Sequence, residues 1–146
     1  MFTLDTVLLQ VEGKTQEAVV RTIVQHAHGL GNVKDIDKTV RAVLAREEEG
    51  TTGFGNGIAI PHGKTDAIME PIVIFATLQT PNEWCAMDGN PVNMLFMILV
   101  PETSAAEHLQ ILAKLARKLM HVEFTEGLRS KTQKMEIVEF LEAQLN

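Results

Sequence analysis

Two histidines and one arginine in this chain have surroundings that suit phosphate chemistry. His62 stands in "GFGNGIAIPHGK" (Gly53–Lys64), after a short apolar run and between Pro61 and Gly63. An imidazole with an ordinary pKa of about 6.5 is largely neutral at pH 7. Its unprotonated nitrogen can attack phosphorus and form a phosphoramidate. Ile58–Ile60 reads as a strand, so His62 is expected at a strand's carboxyl end, the edge where open α/β sheets bind ligands. Pro61 fixes its own φ and Gly63 permits a sharp exit, so this pivot would hold the ring at a crevice mouth. The tripeptide alone fits a solvated turn equally well. Gly53, Gly55 and Gly57 remove side chains nearby, which would let backbone amides or a large partner come close.

His108 follows Ser104-Ala105-Ala106-Glu107, a sequence that reads as a capping box. The box places His108 in the first turn of a helix, where free amides and the positive dipole end favour an anion. Packing of His108 on the core beside Leu109 and Leu112 is the plain alternative. Arg46 falls in the last turn of an earlier helix, where a cation is favourable for structural reasons alone. It could pair with Glu47 or Glu49, or clamp phosphate with its guanidinium fork. If the strands before His62 and His108 are neighbours, both imidazoles face one crevice.

The elements that must position these groups are legible as an alternation. Thr6–Val11 reads as a strand and Thr15–His28 as a helix, with Ala18, Val19, Ile23 and Ala27 at helical spacing. Asp37–Glu49 is a second helix, with Val40, Val43 and Leu44 as its stripe and Asp35 or Asp37 as its cap. Pro71–Gln79 and Val92–Val100 read as buried strands joined by turn residues in Met87–Pro91. A helix from Ser104 to about Met120, a short one around Phe124–Ser130 and one over Gln133–Leu145 complete the chain. Strands alternating with helices predict a layered α/β domain spanning residues 1–146.

Rival chemistries fare worse. Gly57 to Thr65 looks like a P-loop, but five residues separate its glycines instead of four, and Pro61 lacks an amide for phosphate. A zinc site from His62, His108 and Cys85 has suitable residue types, but no short-range ligand cluster supports it. No cofactor or metal is therefore expected. A non-enzymatic binding or regulatory module is the third class. His26, His28 and His121 receive no role. Met87, Met94, Met97 and Met120 read as core filler, Trp84 and Cys85 as neighbours of a surface loop, and Glu47–Glu49 as a solvated helix end.

The chain has 146 residues, 45% of them hydrophobic, and a net charge of −6, which argues against nucleic acid as a partner. The lone Cys85 forbids an internal disulfide and suggests a reducing compartment. No signal peptide is evident, and the longest apolar run, Met94–Val100, is too short to cross a bilayer, so a cytoplasmic location is expected.

Taken together, "REEEGTTGFGNGIAIPHGKTDAI" (Arg46–Ile68), "MDGNPVNMLFMILVPE" (Met87–Glu102) and "EHLQILAKLARKLM" (Glu107–Met120) resemble enzyme IIA of the fructose–mannitol type. That family serves the bacterial phosphoenolpyruvate-dependent sugar phosphotransferase system. The resemblance implies a mixed sheet with helices on both faces. It implies phosphorylation of His62, through Nε2, with His108 as the second active-site imidazole and Arg46 binding phosphate. The implied donor is the phosphocarrier HPr and the implied acceptor is the cysteine of enzyme IIB, both docking around His62. The implied route is sugar uptake of the fructose type. Nitrogen-regulatory members of the family, which move no sugar, are the alternative. The 146 residues show no IIB-like or membrane segment, so a free-standing protein or an excised domain is expected.

Overall fold

The computed structural model describes residues 1–145, without the side chains of residues 105 and 107. A short 3-10 turn, Leu4–Thr6, leads into β1 (Val7–Val11). Helices α1 (Gln16–Gly29) and α2 (Ile36–Glu49) follow. Thr15 caps α1 by accepting from the Ala18 amide, and Asp35 caps α2 by accepting from the Lys38 amide. Three short strands come next: β2 (Gly53–Gly55), β3 (Ile58–Ala59) and β4 (His62–Lys64). The long strands β5 (Ile72–Asn82) and β6 (Val92–Val100) precede α3 (Ala105–Leu119), α4 (Val122–Arg129) and α5 (Lys134–Leu145).

The sheet is mixed, with order β1-β5-β6-β3-β2 and with β4 also paired to β6. Strands β5 and β6 are antiparallel, whereas β1 runs parallel to β5 and both β3 and β4 run parallel to β6. β6 is central and nearly all of it is buried, which explains its unbroken apolar run. One face packs Ala59, Ile74, Leu95, Met97 and Leu99 against α1 and α2. The other packs Ile58, Ile60, Phe75, Phe96 and Ile98 against α3, α4 and α5. Each fully buried Leu, Ile, Phe or Met side chain among them contributes about 1.5–3 kcal/mol relative to exposure. Helices on both faces of a mixed sheet are what the resemblance implied.

Several local expectations are corrected. Val7–Val11 and Ile72–Asn82 shift the predicted strand ends by a few residues, and Pro81 lies inside β5. The glycine-rich segment is a hairpin, in which β2 pairs antiparallel with β3 across Asn56 and Gly57. Gly57 has φ +78°, and a Cβ there would meet Arg129 at 2.8 Å and Asn93 at 2.9 Å. A Cβ on Gly53 would sit 2.8 Å from Ala86 Cβ. These two glycines serve the turn and close packing, and the space they leave is filled by the chain itself. Ser104 is the N-cap of α3, but its hydroxyl makes no capping bond. The Glu107 half of the expected capping box lies outside the described residues.

Met94 and Met97 are core residues, as expected, but Met87 is 88% and Met120 76% exposed. Trp84 is fully buried, whereas its neighbour Cys85 is exposed. No helix among the described residues is long and apolar enough to cross a membrane.

Candidate functional site

His62 belongs to a strand and not to a turn. β3 and β4 lie end to end along β6, with Ile58 opposite Met94 and His62 opposite Ile98. The interruption falls at Ile60–Pro61, where the Pro61 carbonyl still accepts from the Ile98 amide at 3.0 Å. Side chains therefore keep alternating through the break. His62 continues the parity of Ile58 and Ile60 and points toward α3. Gly63 continues the parity of Ala59 and points toward α2. A Cβ on Gly63 would sit 2.8 Å from Val43 Cγ2, so this glycine admits α2 against the strand and provides no sharp exit.

This placement explains how residues from opposite layers reach one imidazole. β2 pairs with β3 but not with β4, so β4 is a free edge of the sheet. His108 comes from α3 on one face, and its ring centroid lies 4.9 Å from that of His62 at an interplanar angle of 50°. Arg46 comes from the last turn of α2 on the other face. Arg46, Glu49, His62, Lys64 and His108 line one hollow of about 400 Å³. A second hollow of about 490 Å³ shares Arg46 and His62 but is otherwise largely apolar, bounded by Phe54, Met87, Leu112 and Met120. His62 thus stands between a polar hollow and an apolar one.

Hydrogen bonding defines the state of His62. Its Nδ1 lies 2.9 Å from the Ile60 carbonyl oxygen. A carbonyl can only accept, so Nδ1 carries the proton and Nε2 of the neutral ring keeps its lone pair. Burial is the main cause that lowers the His62 pKa, and Arg46 adds to it. The bond to Ile60 and the charges of Glu47 and Glu49 act in the opposite direction. The His108 pKa is also lowered, by burial first and then by His62, Lys64 and Arg46. Both rings are therefore neutral at pH 7. His108 Nε2 is buried with no hydrogen-bond partner among the described residues, a costly state for a polar atom. A group bearing oxygen on His62 would offer it one.

Arg46 donates to the Gly50 carbonyl at 2.8 Å, capping the end of α2, and it forms no ion pair with Glu47 or Glu49. Five donors on the guanidinium leave others for an anion. Sequence reasoning brought His62, His108 and Arg46 together, and the structure places all three on the polar hollow. It missed Lys64, which its position two residues after His62 on a strand would have indicated, because i and i+2 share a face. Glu47 was also misjudged as solvated. Its carboxylate accepts from the Thr52 amide at 2.9 Å, from the Thr52 hydroxyl and from the Trp84 indole N–H at 3.1 Å. His26 donates from Nε2 to the Asp5 carbonyl at 2.6 Å, and His121 is the N-cap residue of α4. Among the described residues, no three His, Cys, Asp or Glu side chains are grouped to hold a metal.

Comparison with known proteins gives a consistent outcome. The family model described as "Phosphoenolpyruvate-dependent sugar phosphotransferase system, EIIA 2" matches residues 1–144. The chain is similar to a PTS system fructose-specific EIIA component of Haloferax volcanii, 41% identical over 138 residues, or 94% of this chain and 90% of that protein. It is also similar to the crystal structure of nitrogen regulatory protein IIA-Ntr from Neisseria meningitidis. That likeness has a TM-score of 0.87 and 29% identity, and covers 95% of this chain and 94% of that one. Enzyme IIAMTL from Escherichia coli, solved in complex with phosphorylated enzyme IIBMTL, shares the fold with a TM-score of 0.81 at 21% identity, covering 98% of each chain. A mixed sheet flanked by two helical layers, two neutral imidazoles in contact at its edge and a family match over nearly the whole sequence lead to one conclusion: the chain belongs to the EIIA 2 family of the phosphoenolpyruvate-dependent sugar phosphotransferase system.

Proposed function

We propose that the chain, acting as one unit in the cytoplasm, is a phosphohistidine relay of fructose-type sugar uptake. Phospho-HPr is the donor and the cysteine of enzyme IIB the acceptor. The observation that carries this reading is the bond from His62 Nδ1 to the Ile60 carbonyl, which leaves the Nε2 lone pair free to react. In the first step that lone pair attacks the donor's phosphorus. The new N–P bond forms as the donor's N–P bond breaks, and the donor nitrogen departs with the bonding pair. In the second step the thiolate of enzyme IIB attacks the same phosphorus, an S–P bond forms and the pair returns to His62 Nε2. The phosphoryl group arrives already activated, so the balance needs no nucleotide.

Arg46, His108 and Lys64 line the hollow in which the phosphoryl oxygens would lie. A guanidinium and an ammonium stabilise the charge there, the dominant contribution to phosphoryl transfer. In its Nε2–H tautomer the neutral His108 would hold one oxygen by donating a hydrogen bond from Nε2. The exposed Met87 and Met120, with Phe54 and Leu112, offer an apolar seat for the donor and acceptor proteins. The test is reconstitution with phospho-HPr, enzyme IIB and the fructose permease. Formation of fructose phosphate that depends on this chain supports the reading. Labelling of His62 with no onward passage to any enzyme IIB overturns the transport role.

The likeness to the nitrogen regulatory protein IIA-Ntr favours a second reading, in which the phosphorylation state of His62 governs binding to a regulatory partner. A labelled protein that passes nothing to enzyme IIB but changes partner affinity on phosphorylation supports that one.

A further inference from the structure

We infer that Glu47 is a positioning residue for His62, acting through Thr52 and Ile60 to hold the tautomer whose Nε2 is free to react. The inference rests on the function proposed above. Its basis is an unbroken series of hydrogen bonds from the end of α2 to the imidazole. The Glu47 carboxylate accepts from the Thr52 amide at 2.9 Å and from the Thr52 hydroxyl. The Thr52 carbonyl accepts from the Ile60 amide at 2.9 Å. The Ile60 carbonyl accepts from His62 Nδ1 at 2.9 Å. A third donor to the carboxylate, the indole of the buried Trp84, meets Glu47 at 3.1 Å on the oxygen that also accepts from the Thr52 hydroxyl.

Each link has a reason in the local structure. Thr52 lies between α2 and β2, so its amide has no helix or strand partner and needs an acceptor from a side chain. The β3–β4 strand is broken at Ile60–Pro61, which leaves the Ile60 carbonyl for the imidazole. The orientation of residue 60 is in turn set by its amide on Thr52. If Thr52 moves, Ile60 rotates and His62 loses the acceptor that fixes its proton on Nδ1. The two ring nitrogens of a free imidazole compete for that proton, and only the Nδ1–H form leaves Nε2 nucleophilic.

The charge and both oxygens of Glu47 are used. A carboxylate presents two acceptor oxygens, and bonds to an ionised acceptor are about twice as strong as neutral ones. Glutamine has the same shape but only one acceptor oxygen, so its amide N–H would face either the Thr52 amide or the indole. Glu47→Gln therefore separates positioning from packing.

The experiment reads the ¹⁵N shifts of the His62 ring at pH 8 in the free protein, where the two tautomers are distinguishable. Wild type should show the Nδ1–H form in large excess. Glu47→Gln should raise the Nε2–H form several-fold and slow labelling by phospho-HPr about tenfold, the effect of one charge-assisted hydrogen bond. If Glu47→Gln does not fold, Thr52→Val, which removes the hydroxyl's contacts to Glu47 and the Trp84 indole but keeps the Thr52 amide on Glu47, should shift the ratio in the same direction by less. A wild-type tautomer ratio in a folded variant would overturn the inference. The tautomer is read without any phosphoryl donor. Failure of wild type to accept phosphate would therefore count against the proposed relay and leave this reading of Glu47 standing.

Discussion

The His62 and His108 rings lie 4.9 Å apart, although one projects from a sheet-edge strand and the other from the first turn of a helix packed on that sheet. Two imidazoles this close cannot both be charged without mutual repulsion, and burial lowers the pKa of each. In the proposed relay the pair stays neutral until His62 takes up the phosphoryl group. His108→Ala should then still accept a phosphoryl group at His62 but pass it on about 10²-fold more slowly, the usual loss for one donor to developing charge. Single-turnover transfer to enzyme IIB measures this, and a wild-type rate in the second step would remove His108 from the role.

The same pair makes stability depend on pH. Both histidines have folded pKa values below the ordinary 6.5, so near pH 6 the unfolded chain binds more protons than the native one. Their contribution is full above about pH 6.5 and is lost as pH falls through the folded values. Asp37, Asp66 and Asp88 also have lowered pKa values, but from 3.8 downward, and so act only in stronger acid. Thermal unfolding between pH 7 and pH 5 should show a falling Tm, and His62→Gln should flatten that slope. An equal slope in wild type and variant would count against buried neutral rings as its source.

Met87 and Met120 are 88% and 76% exposed beside His62, more than a core role allows. Replacing either with Asp should leave the fold unchanged and raise the KM for phospho-HPr about tenfold, with kcat held. That pattern marks loss of uniform binding. Unchanged KM in Met87→Asp together with Met120→Asp would mean that partners dock elsewhere.

Gly63 lies under α2, with a would-be Cβ 2.8 Å from Val43 Cγ2. Gly63→Ala should cost about 1–3 kcal/mol through overpacking, seen as a lower denaturant midpoint. Val43→Ala, which clears that space, should restore part of the loss in the double variant. Additive losses would show that the contact is not the cause.

Much of this was legible in the sequence because periodicity and caps act locally. The starts of α1 and α2 fall within a residue of those expected, with Asp35 the one of the two candidate caps that is used, and the apolar run Val92–Val100 matches β6 to the residue. His62, His108 and Arg46 could be named from their neighbours in sequence. What was not legible depends on contacts between distant segments. Trp84 looked like a loop residue, because nothing near it in sequence reveals the acceptor Glu47 at a separation of 37 positions. Glu47 looked solvated for the same reason. The Pro-His-Gly tripeptide suggested a turn because Pro and Gly usually punctuate, whereas here pairing with β6 carries the strand through Pro61 and α2 requires the missing side chain of Gly63. Met87 and Met120 have the composition of a core, and only the tertiary arrangement leaves them at the surface.

The central claim is that His62 Nε2 receives the phosphoryl group. Incubation with phospho-HPr followed by ³¹P and ¹⁵N spectroscopy of the intact protein tests it most directly. The account predicts one phosphoryl group per chain, bound to Nε2 of His62, and none on His62→Gln. Label on Nδ1, or label that persists in His62→Gln, would contradict it.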